Sequence, residues 1–357
     1  MSLVLVWCLG EAAVRYKERH RTTVPGEYAT LYYRAQRVGI GLVRATDYYG
    51  WVHIDSAGFR GPEVSLQKAP GVLRVMAVGA STTFDRGVTA DSLTWPAQLQ
   101  RILTTGPAAT RVEVINAGVP GYCALDNVIR LETDLYAYHP DVIIFYPAHM
   151  DLFNFLHTSL EGGPSRFERR PDAVADVTPW EEWLENHSLL YVKLREKAEA
   201  LSFSRGHASQ SGTTVQAGAA ARDSLISAGA RQFAQDVRLF LVAARSLGIR
   251  VVVPSMVEVS GDAVDAPDSL QREEWRHSVP FAAPSTVLLG YRAYNAALRE
   301  DAQEEGAVFL PMEGCGLTEP RYYEAGDPVH FNDAGSERMA DCVASGLRNA
   351  RVVPGAR

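Results

Sequence analysis

The sequence predicts an α/β fold in which a five-stranded parallel sheet lies between two layers of helices. From residue 73 onward, short apolar runs alternate with longer segments whose apolar residues recur at helical spacing. The apolar runs are continuous, as in parallel strands that are covered on both faces. With 46% of its 357 residues hydrophobic and 22% charged, the chain can bury a core of that size.

Five strands and five helices account for this region. The strands are predicted at 73–79, 112–116, 141–146, 249–254 and 307–310. The helices are predicted at about 91–103, 124–138, 224–247, 290–305 and 334–347. Gly248 stands where the left-handed residue after a helix is expected. Strands and helices that alternate in this way predict one doubly wound domain over about residues 71–350.

Two segments precede that domain. Residues 1–22 open with an apolar run, Leu3–Leu9, which a basic cluster of Arg15, Lys17, Arg19 and Arg21 follows. The run is far shorter than the roughly 20 residues that cross a bilayer, which favours the apolar side of an ordinary helix. The basic cluster is typical of the end of a membrane anchor, so the remnant of an anchor is the alternative. Residues 23–70 are rich in Tyr, Val and Gly and predict a β-rich lead-in.

A long interruption divides the predicted domain at about residues 152–223. It contains a helix start, since Thr178 can cap, Pro179 suits the first helical position and Glu181 follows three residues after the cap. Residues 202–221 are rich in Ser, Gly, Ala and Gln and predict a mobile loop. Because the insertion follows the carboxyl end of a strand, we expect it to form a cap or lid over a site there.

Composition and spacing exclude several classes of function. The formal net charge of −7, without a basic face or tail, argues against a nucleic-acid partner. The four cysteines, Cys8, Cys123, Cys315 and Cys342, lie far apart, which gives neither a zinc spacing nor a disulfide framework. No phosphate-binding glycine motif follows a strand. We therefore expect neither a cofactor nor a metal.

Ser81 is the first candidate for chemistry. It stands two residues after Gly79, which closes the first strand, and open α/β sheets place their chemistry at the carboxyl ends of strands. The alternative is that Ser81 caps the next helix, a common role for serine. Asp85 and Arg86, just beyond, would form a local ion pair or cap, or line the pocket.

Asp327 and His330 are a second candidate pair, on a turn that enters the last predicted helix. A carboxylate three residues before a histidine can hold its Nδ1–H and leave Nε2 free to take a proton from a serine hydroxyl. Alone, the pair is better explained by a solvated turn that happens to carry a histidine. Combined with a serine at a strand end, it completes a set of nucleophile, base and orienting carboxylate.

A tetrahedral intermediate also needs hydrogen-bond donors for its oxyanion. The turn Asn116–Gly121 follows the second strand, and a glycine there, such as Gly118, exposes its N–H to a substrate. By itself, this segment is better explained by a plain strand-to-helix turn.

In their order and spacing, these blocks resemble the SGNH, or GDSL-type, hydrolase family. The matching blocks are Gly79–Thr83, Asn116–Gly118, the segment after the strand that ends at Tyr146, and Asp327–His330; Gly58–Glu63 and Tyr291–Asn295 also look like segments of the larger bacterial members. The resemblance covers about residues 50–350. It implies the flavodoxin-like α/β/α fold of that family, with Ser81 as nucleophile, His330 as general base and acid, and Asp327 as its orienting partner. It also implies an oxyanion hole lined by the N–H groups of Ser81 and Gly118.

The third block departs from the family pattern. Family members carry Gly-x-Asn-Asp or Gly-His-Asn-Glu there, and the asparagine donates to the oxyanion, whereas Met150 occupies its position in this chain. Methionine cannot donate a hydrogen bond. Either His149 or Asn154 supplies the third bond, or the hole works with two donors.

The sequence therefore predicts a serine-dependent ester hydrolase that works through an acyl-enzyme on a small-molecule, glycan or lipid ester. An acyltransferase that uses the same residues on a sugar or other alcohol is one alternative. A ligand-binding protein without catalysis is the other, because of Met150. Membrane association, oligomeric state and compartment stay open, with a soluble cytoplasmic protein favoured over a membrane-anchored or extracytoplasmic one.

Overall fold

The computed structural model describes residues 3–19, 32–35, 39–42, 44, 46–48, 52–105, 111–147, 149–157, 159, 179–195, 197, 219–257, 282–325 and 327–353. Internal contacts divide the chain into two units. The first comprises Met1–Gly58 and Arg169–Gln216, and the second comprises Phe59–Glu168 and Ala217–Arg357. The domain limits predicted from the sequence, at residues 22, 70 and 350 with a cap at 152–223, stay predictions.

The helices and strands follow one another along the chain in this order: α1 (Leu3–Arg19), β1 (Tyr32–Ala35), β2 (Gly39–Leu42), β3 (Thr46–Tyr48), β4 (Val52–Ile54), β5 (Leu73–Gly79), α2 (Ser81–Phe84), α3 (Trp95–Thr104), β6 (Val112–Asn116), α4 (Ala124–Arg130), β7 (Val142–Tyr146), α5 (His149–His157), α6 (Pro179–His187), α7 (Ala219–Ser246), β8 (Arg250–Pro254), α8 (Pro284–Glu304), β9 (Val308–Leu310) and α9 (Asp333–Asn349). A π turn over Leu131–Leu135 and a 3₁₀ turn over Tyr136–Tyr138 extend α4.

The first unit contains α1, α6 and two antiparallel hairpins, β1–β2 and β3–β4. Glu11 of α1 fixes the helical segment 189–195, because its carboxylate accepts hydrogen bonds from Ser188 Oγ and from the N–H groups of Leu189 and Leu190, at 2.8 to 2.9 Å. A carboxylate at this position satisfies the first amides of a helix, which have no partner within it. No helix in the described part of the chain is long and apolar enough to cross a bilayer.

The second unit is built on a five-stranded, all-parallel sheet with the order β6-β5-β7-β8-β9. Counting only these strands along the chain, the order is 2-1-3-4-5, the flavodoxin-like arrangement. The predicted α/β class with five parallel strands is therefore confirmed. In this arrangement the strand order reverses between β5 and β7, and a crevice opens there at the carboxyl ends of the two strands.

Helices cover both faces of this sheet. On one face α3 packs against α9, and both lie on side chains such as Val75, Ile144 and Val252. On the other face α7 packs against α4, α5 and α8. Phe145 of β7 and Phe240 of α7 are stacked there, with ring centroids 3.9 Å apart. The central strands β5 and β7 are buried along nearly their whole length, which explains why their sequences are continuous apolar runs.

Several helix limits differ from the predicted ones. α7 begins at Ala219 and α8 at Pro284, against predicted starts of 224 and 290. Proline suits the first turn of a helix because its missing N–H has no partner there, so α8 starts at the proline. α5, directly after β7, was not predicted as a helix. Thr178 and most of 202–221 lie outside the described residues, and the helix expected after Thr178 is described from Pro179.

Candidate active site

Ser81 lies at the crevice predicted from the strand order, directly after β5. The last residue of β5, Gly79, pairs with Tyr146 of β7. A Cβ atom on Gly79 would lie 2.3 Å from Thr83 Oγ1 and 2.4 Å from the Tyr146 carbonyl oxygen, so only glycine fits between β7 and the turn that carries Ser81. Ser81 begins the short helix α2, whose four residues are all buried.

His330 and Asp327 reach Ser81 from the other end of the chain. His330 Nε2 lies 2.8 Å from Ser81 Oγ, and His330 Nδ1 lies 2.6 Å from Asp327 Oδ2. The structure therefore brings together the three side chains nominated from the sequence, in a continuous chain of hydrogen bonds. Since Asp327 accepts from Nδ1–H, Nε2 of a neutral imidazole is free to accept from the serine hydroxyl.

The turn that holds Asp327 keeps its carboxylate ionised. Asp327 Oδ1 accepts hydrogen bonds from the N–H groups of Val329 at 2.8 Å and His330 at 3.1 Å. Burial by itself raises the pKa of Asp327. The charge and hydrogen bond of His330, the Arg86 guanidinium and the Val329 N–H outweigh burial and hold the pKa below its usual range. The carboxylate is thus available to orient His330 across the physiological pH range.

Arg86 and Glu324 lie beside this carboxylate. Arg86 Nη2 is 3.6 Å from Asp327 Oδ2 and 3.4 Å from Glu324 Oε2. Burial, together with the Asp327 charge, raises the pKa of Glu324 against the opposing effects of Arg86 and His330. The sequence predicted for Arg86 a local ion pair or cap, or a place in the pocket lining; in the structure its ion pairs are instead with the distant Glu324 and Asp327.

Asp85 has a separate, structural environment. Its Oδ2 accepts from the Trp95 N–H at 2.6 Å, at the start of α3, and from Ser336 Oγ of α9. Burial raises the pKa of Asp85 to about 7, against the hydrogen bonds of Ser336 and Trp95. Arg60 secures the same segment, because it donates to the carbonyl oxygens of Phe84 and Asp85 at 3.0 and 2.8 Å. These bonds join α2, α3 and α9 around the candidate nucleophile.

Gly118 packs directly against α2. A Cβ atom there would lie 2.1 Å from the Phe84 backbone nitrogen, so glycine permits this approach. The Gly118 N–H donates to Asn116 Oδ1 at 3.1 Å, and Asn116 Nδ2 donates to the Phe84 carbonyl oxygen at 3.2 Å. Gly118 thus adjoins the nucleophile turn, while its N–H is engaged with Asn116, and its place in an oxyanion hole stays a prediction.

His149 and Asn154, the two candidates for a third oxyanion donor, have different surroundings. His149 is 3% exposed, and its Nδ1 lies 2.8 Å from the Tyr291 hydroxyl. Burial, followed by the charge of His330, lowers the pKa of His149 to about 3, so this imidazole is neutral. Asn154 Nδ2 donates to Cys123 Sγ at 3.1 Å, at the start of α4.

A cluster of Glu324, Asp327 and His330 also has the composition of a cation site. Each offers a ligand atom, and these atoms lie within 4.8 Å of one another. Both ring nitrogens of His330 are, however, already engaged, by Ser81 and by Asp327. Histidine binds a metal through a free ring nitrogen, so this cluster fits a proton-transfer chain better than a metal site.

Glu324 and Tyr291 were not nominated for the site from the sequence. Tyr291 belongs to a segment that resembles the SGNH family, which is a signal for the segment although not for the bond to His149. Nothing in the sequence around Glu324 indicates its contact with Arg86, because the two residues are 238 positions apart. The disulfide Cys315–Cys342, with Cα atoms 6.0 Å apart, was likewise not indicated by the cysteine spacing.

Comparisons with known proteins give structural matches only. No family model and no curated protein matches the sequence. The solved structures that match include acetyl xylan esterases and lipases named as GDSL-like. They include the acetyl xylan esterase AlAXEase (14% identity over 77% of this chain and 99% of that chain, TM-score 0.45). Two others are a putative lipolytic protein of the G-D-S-L family from Desulfitobacterium hafniense (13%, 77% and 99%, TM-score 0.41) and a putative GDSL-like lipase from Parabacteroides merdae (17%, 80% and 100%, TM-score 0.44).

Proposed function

We propose that this protein is a serine-dependent ester hydrolase that uses Ser81, His330 and Asp327 as a catalytic triad. The observation that supports this most directly is the hydrogen-bonded chain from Ser81 Oγ through His330 to Asp327, with distances of 2.8 and 2.6 Å. Its position supports the proposal too, since the crevice at the reversal of strand order is where open α/β sheets bind their ligands.

The first half of the reaction acylates Ser81. As the Ser81 hydroxyl attacks the ester carbonyl, its proton passes to His330 Nε2, and the carbonyl oxygen becomes an oxyanion. The imidazolium that forms is stabilised by the Asp327 carboxylate. It then gives its proton to the alkoxide that leaves, so that an alcohol departs and the acyl group stays on Ser81.

The second half releases the acid. Water loses a proton to His330 Nε2 as it attacks the acyl carbonyl, and the second tetrahedral intermediate collapses when Ser81 Oγ takes that proton back. If an alcohol replaces water in this step, the same residues catalyse acyl transfer. The two outcomes therefore differ only in the acceptor.

The oxyanion requires donors, and Met150 cannot supply the third. We assign two of them to the backbone N–H groups of Ser81 and Gly118, the latter after it leaves Asn116. His149 supplies the third, through Nε2–H. In this tautomer Nδ1 carries no proton and accepts a hydrogen bond from the Tyr291 hydroxyl, 2.8 Å away. Asn154 is the weaker candidate, since its amide already donates to Cys123.

A fluorophosphonate probe and a short acyl ester test the proposal together. We expect the wild-type protein to be labelled and to hydrolyse the ester, and Ser81→Ala to lose both. Analysis of the products with and without added sugars or other alcohols separates hydrolysis from transfer. A folded wild-type protein that is neither labelled nor active would instead favour a ligand-binding function.

A further inference from the structure

The first turns of α1 carry a cluster of exposed apolar side chains. Val4 and Val6 are 68% exposed and Leu9 is 63% exposed, while Leu5 and Trp7 are about 40% exposed. Single exposed apolar side chains are ordinary on soluble proteins, but a contiguous group marks a surface that another phase or molecule covers. We call Val4–Leu9 the α1 tip.

The α1 tip is apolar on every side of the helix. Four consecutive residues, Val4–Trp7, cover a full turn of 3.6 residues, so their side chains point in all directions. A helix that docks in a protein groove is apolar on one face, with anchors three and four residues apart. A helix that is apolar all round belongs inside a core or a membrane.

The rest of α1 is attached to its own unit. Glu11 accepts the three hydrogen bonds from 188–190, and a Cβ atom on Gly10 would lie 2.8 Å from Leu190 Cδ2. Arg15 Nη2 donates to the His187 carbonyl oxygen at 3.1 Å. These contacts hold the helix from Gly10 onward, while the tip before it stays exposed.

We propose that the α1 tip inserts into the surface of a lipid bilayer and holds the protein at the membrane. The apolar residues Leu3–Leu9 are seven in number and rise about 10 Å along the helix. That length does not span a bilayer, but it matches the roughly 5–10 Å to which interfacial helices bury their apolar side chains.

The residues that follow the tip fit the headgroup region. Tyr16 and Lys17 are exposed, and Arg15, also exposed, is paired with Glu11. Tyrosine is enriched where the membrane meets water, and lysine and arginine are attracted to anionic headgroups while their stems lie along apolar surface. Along α1 the apolar tip is followed by aromatic and basic side chains, and a membrane leaflet likewise has an apolar interior beneath its charged headgroups. This shared order favours a lipid surface over a protein groove as the partner.

Flotation of the full chain with vesicles tests this inference. The vesicles are phosphatidylcholine alone and phosphatidylcholine mixed with phosphatidylglycerol. We expect the wild type to float with both and more strongly with the mixture. Val4→Glu/Val6→Glu should reduce partitioning into vesicles by at least about tenfold, because the variant loses the favourable free energy of transferring two valine side chains from water into the bilayer. Lys17→Gln should weaken binding to the mixed vesicles and leave binding to the neutral ones nearly unchanged.

The matched control is Leu239→Glu/Val242→Glu on α7, where both side chains are also exposed and the charge change is the same. This control should float as the wild type does, and far-UV circular dichroism should show that all variants are folded. The inference is overturned if the wild type does not float, or if the tip variant floats as well as the control. It is also overturned if the tip variant converts a wild-type dimer that ignores vesicles into a monomer, because a second copy then covers the tip. None of these outcomes depends on ester hydrolysis.

Discussion

Arg86 and Glu324 place opposite charges beside the proposed triad, and their removal should move the pH profile in opposite directions. Arg86 contacts Asp327 and Glu324, while the nearby imidazole of His149 is neutral and adds no charge. A cation near His330 opposes formation of the imidazolium, and an ionised carboxylate favours it. We therefore expect the acid limb of kcat/KM to shift to higher pH in Arg86→Gln and to lower pH in Glu324→Gln. Initial rates with a short acyl ester between pH 4 and 9 measure both shifts.

The double variant Arg86→Gln/Glu324→Gln supplies the control for that experiment. Because the two charges cancel, its acid limb should lie close to that of the wild type. A purely structural role would lower the rate at every pH without moving the limb. Shifts of both single variants in the same direction would contradict the electrostatic explanation.

His149 and Tyr291 allow the assignment of the third oxyanion donor to be tested. Removing one donor costs about 10²–10³ in kcat, so His149→Ala should lose that much with a small change in KM. Tyr291→Phe keeps the ring but frees Nδ1 to carry the proton, and we expect a smaller loss. Steady-state kinetics with the same short ester give kcat and KM for each variant.

Two further experiments test whether His149 acts as an oxyanion donor. Fluorophosphonate labelling at Ser81 should persist in both variants if the triad is intact. Met150→Asn in the His149→Ala background should recover part of the lost rate, since asparagine can donate where the family places it. Wild-type turnover in His149→Ala would show that the oxyanion is stabilised by other groups.

At the scale of single residues, the sequence identified the candidate site residues whose neighbours in the chain form a recognisable pattern. Ser81 follows a glycine-closed strand, and Asp327 and His330 share one turn, so each could be nominated before the structure. Arg86 and Glu324 have no such setting, because their contact joins segments 238 residues apart and leaves no local pattern. The bond from the Gly118 N–H to Asn116 Oδ1 is local, since the two residues are two positions apart, but only the glycine was considered from the sequence and the bond was missed.

At the scale of elements, α2 is held so closely by the turn after β6 that one methyl group should disturb it. Gly118→Ala would place a Cβ atom 2.1 Å from the Phe84 nitrogen, next to the helix that begins with Ser81. We expect about 1–3 kcal/mol of destabilisation, as for other forced overpacking, together with a loss of kcat because Ser81 moves relative to His330. Thermal unfolding and ester hydrolysis measure the two effects.

Gly314→Ala is the matched control, because no atom lies within 4 Å of the Cβ position at Gly314. It carries the same chemical change at a site where nothing has to move, so its stability and turnover should equal those of the wild type. Equal behaviour of the two variants would show that the Gly118 turn can move away from α2 at little cost.

Strands were predicted more accurately than helix ends, for a physical reason. A central parallel strand is buried on both faces, so its apolar run ends where the strand ends, as in β5 and β7. A helix buries one stripe, and its first turn is often polar or alanine-rich. The apolar pattern therefore located α7 and α8 but missed the residues before 224 and 290.

At the scale of the whole molecule, the disulfide Cys315–Cys342 links the segment that carries two residues of the proposed triad to α9. The bond closes a loop of 27 residues that contains both Asp327 and His330. Closing a loop of this length removes conformational freedom from the unfolded chain and stabilises a protein by about 3 to 4 kcal/mol in the chain-entropy model. We expect Cys315→Ser/Cys342→Ser, or reduction of the wild type, to lower the melting temperature by several degrees.

Activity at room temperature should persist in that variant, since other bonds also hold the loop. Asn332 Nδ2 donates to the carbonyl oxygens of Arg321 and Tyr323, both at 2.8 Å, and Tyr323 forms a bridge with Phe331. Cys8→Ser removes an exposed free thiol and keeps the disulfide. Its melting temperature should therefore equal that of the wild type, both without a reducing agent and with one. Calorimetry of the three proteins decides the matter: a wild type whose melting temperature ignores reduction and matches that of the double serine variant would contradict a stabilising bond. If the oxidised wild type melts at a higher temperature than the double serine variant, a covalent bond outside the site stabilises the loop that carries Asp327 and His330.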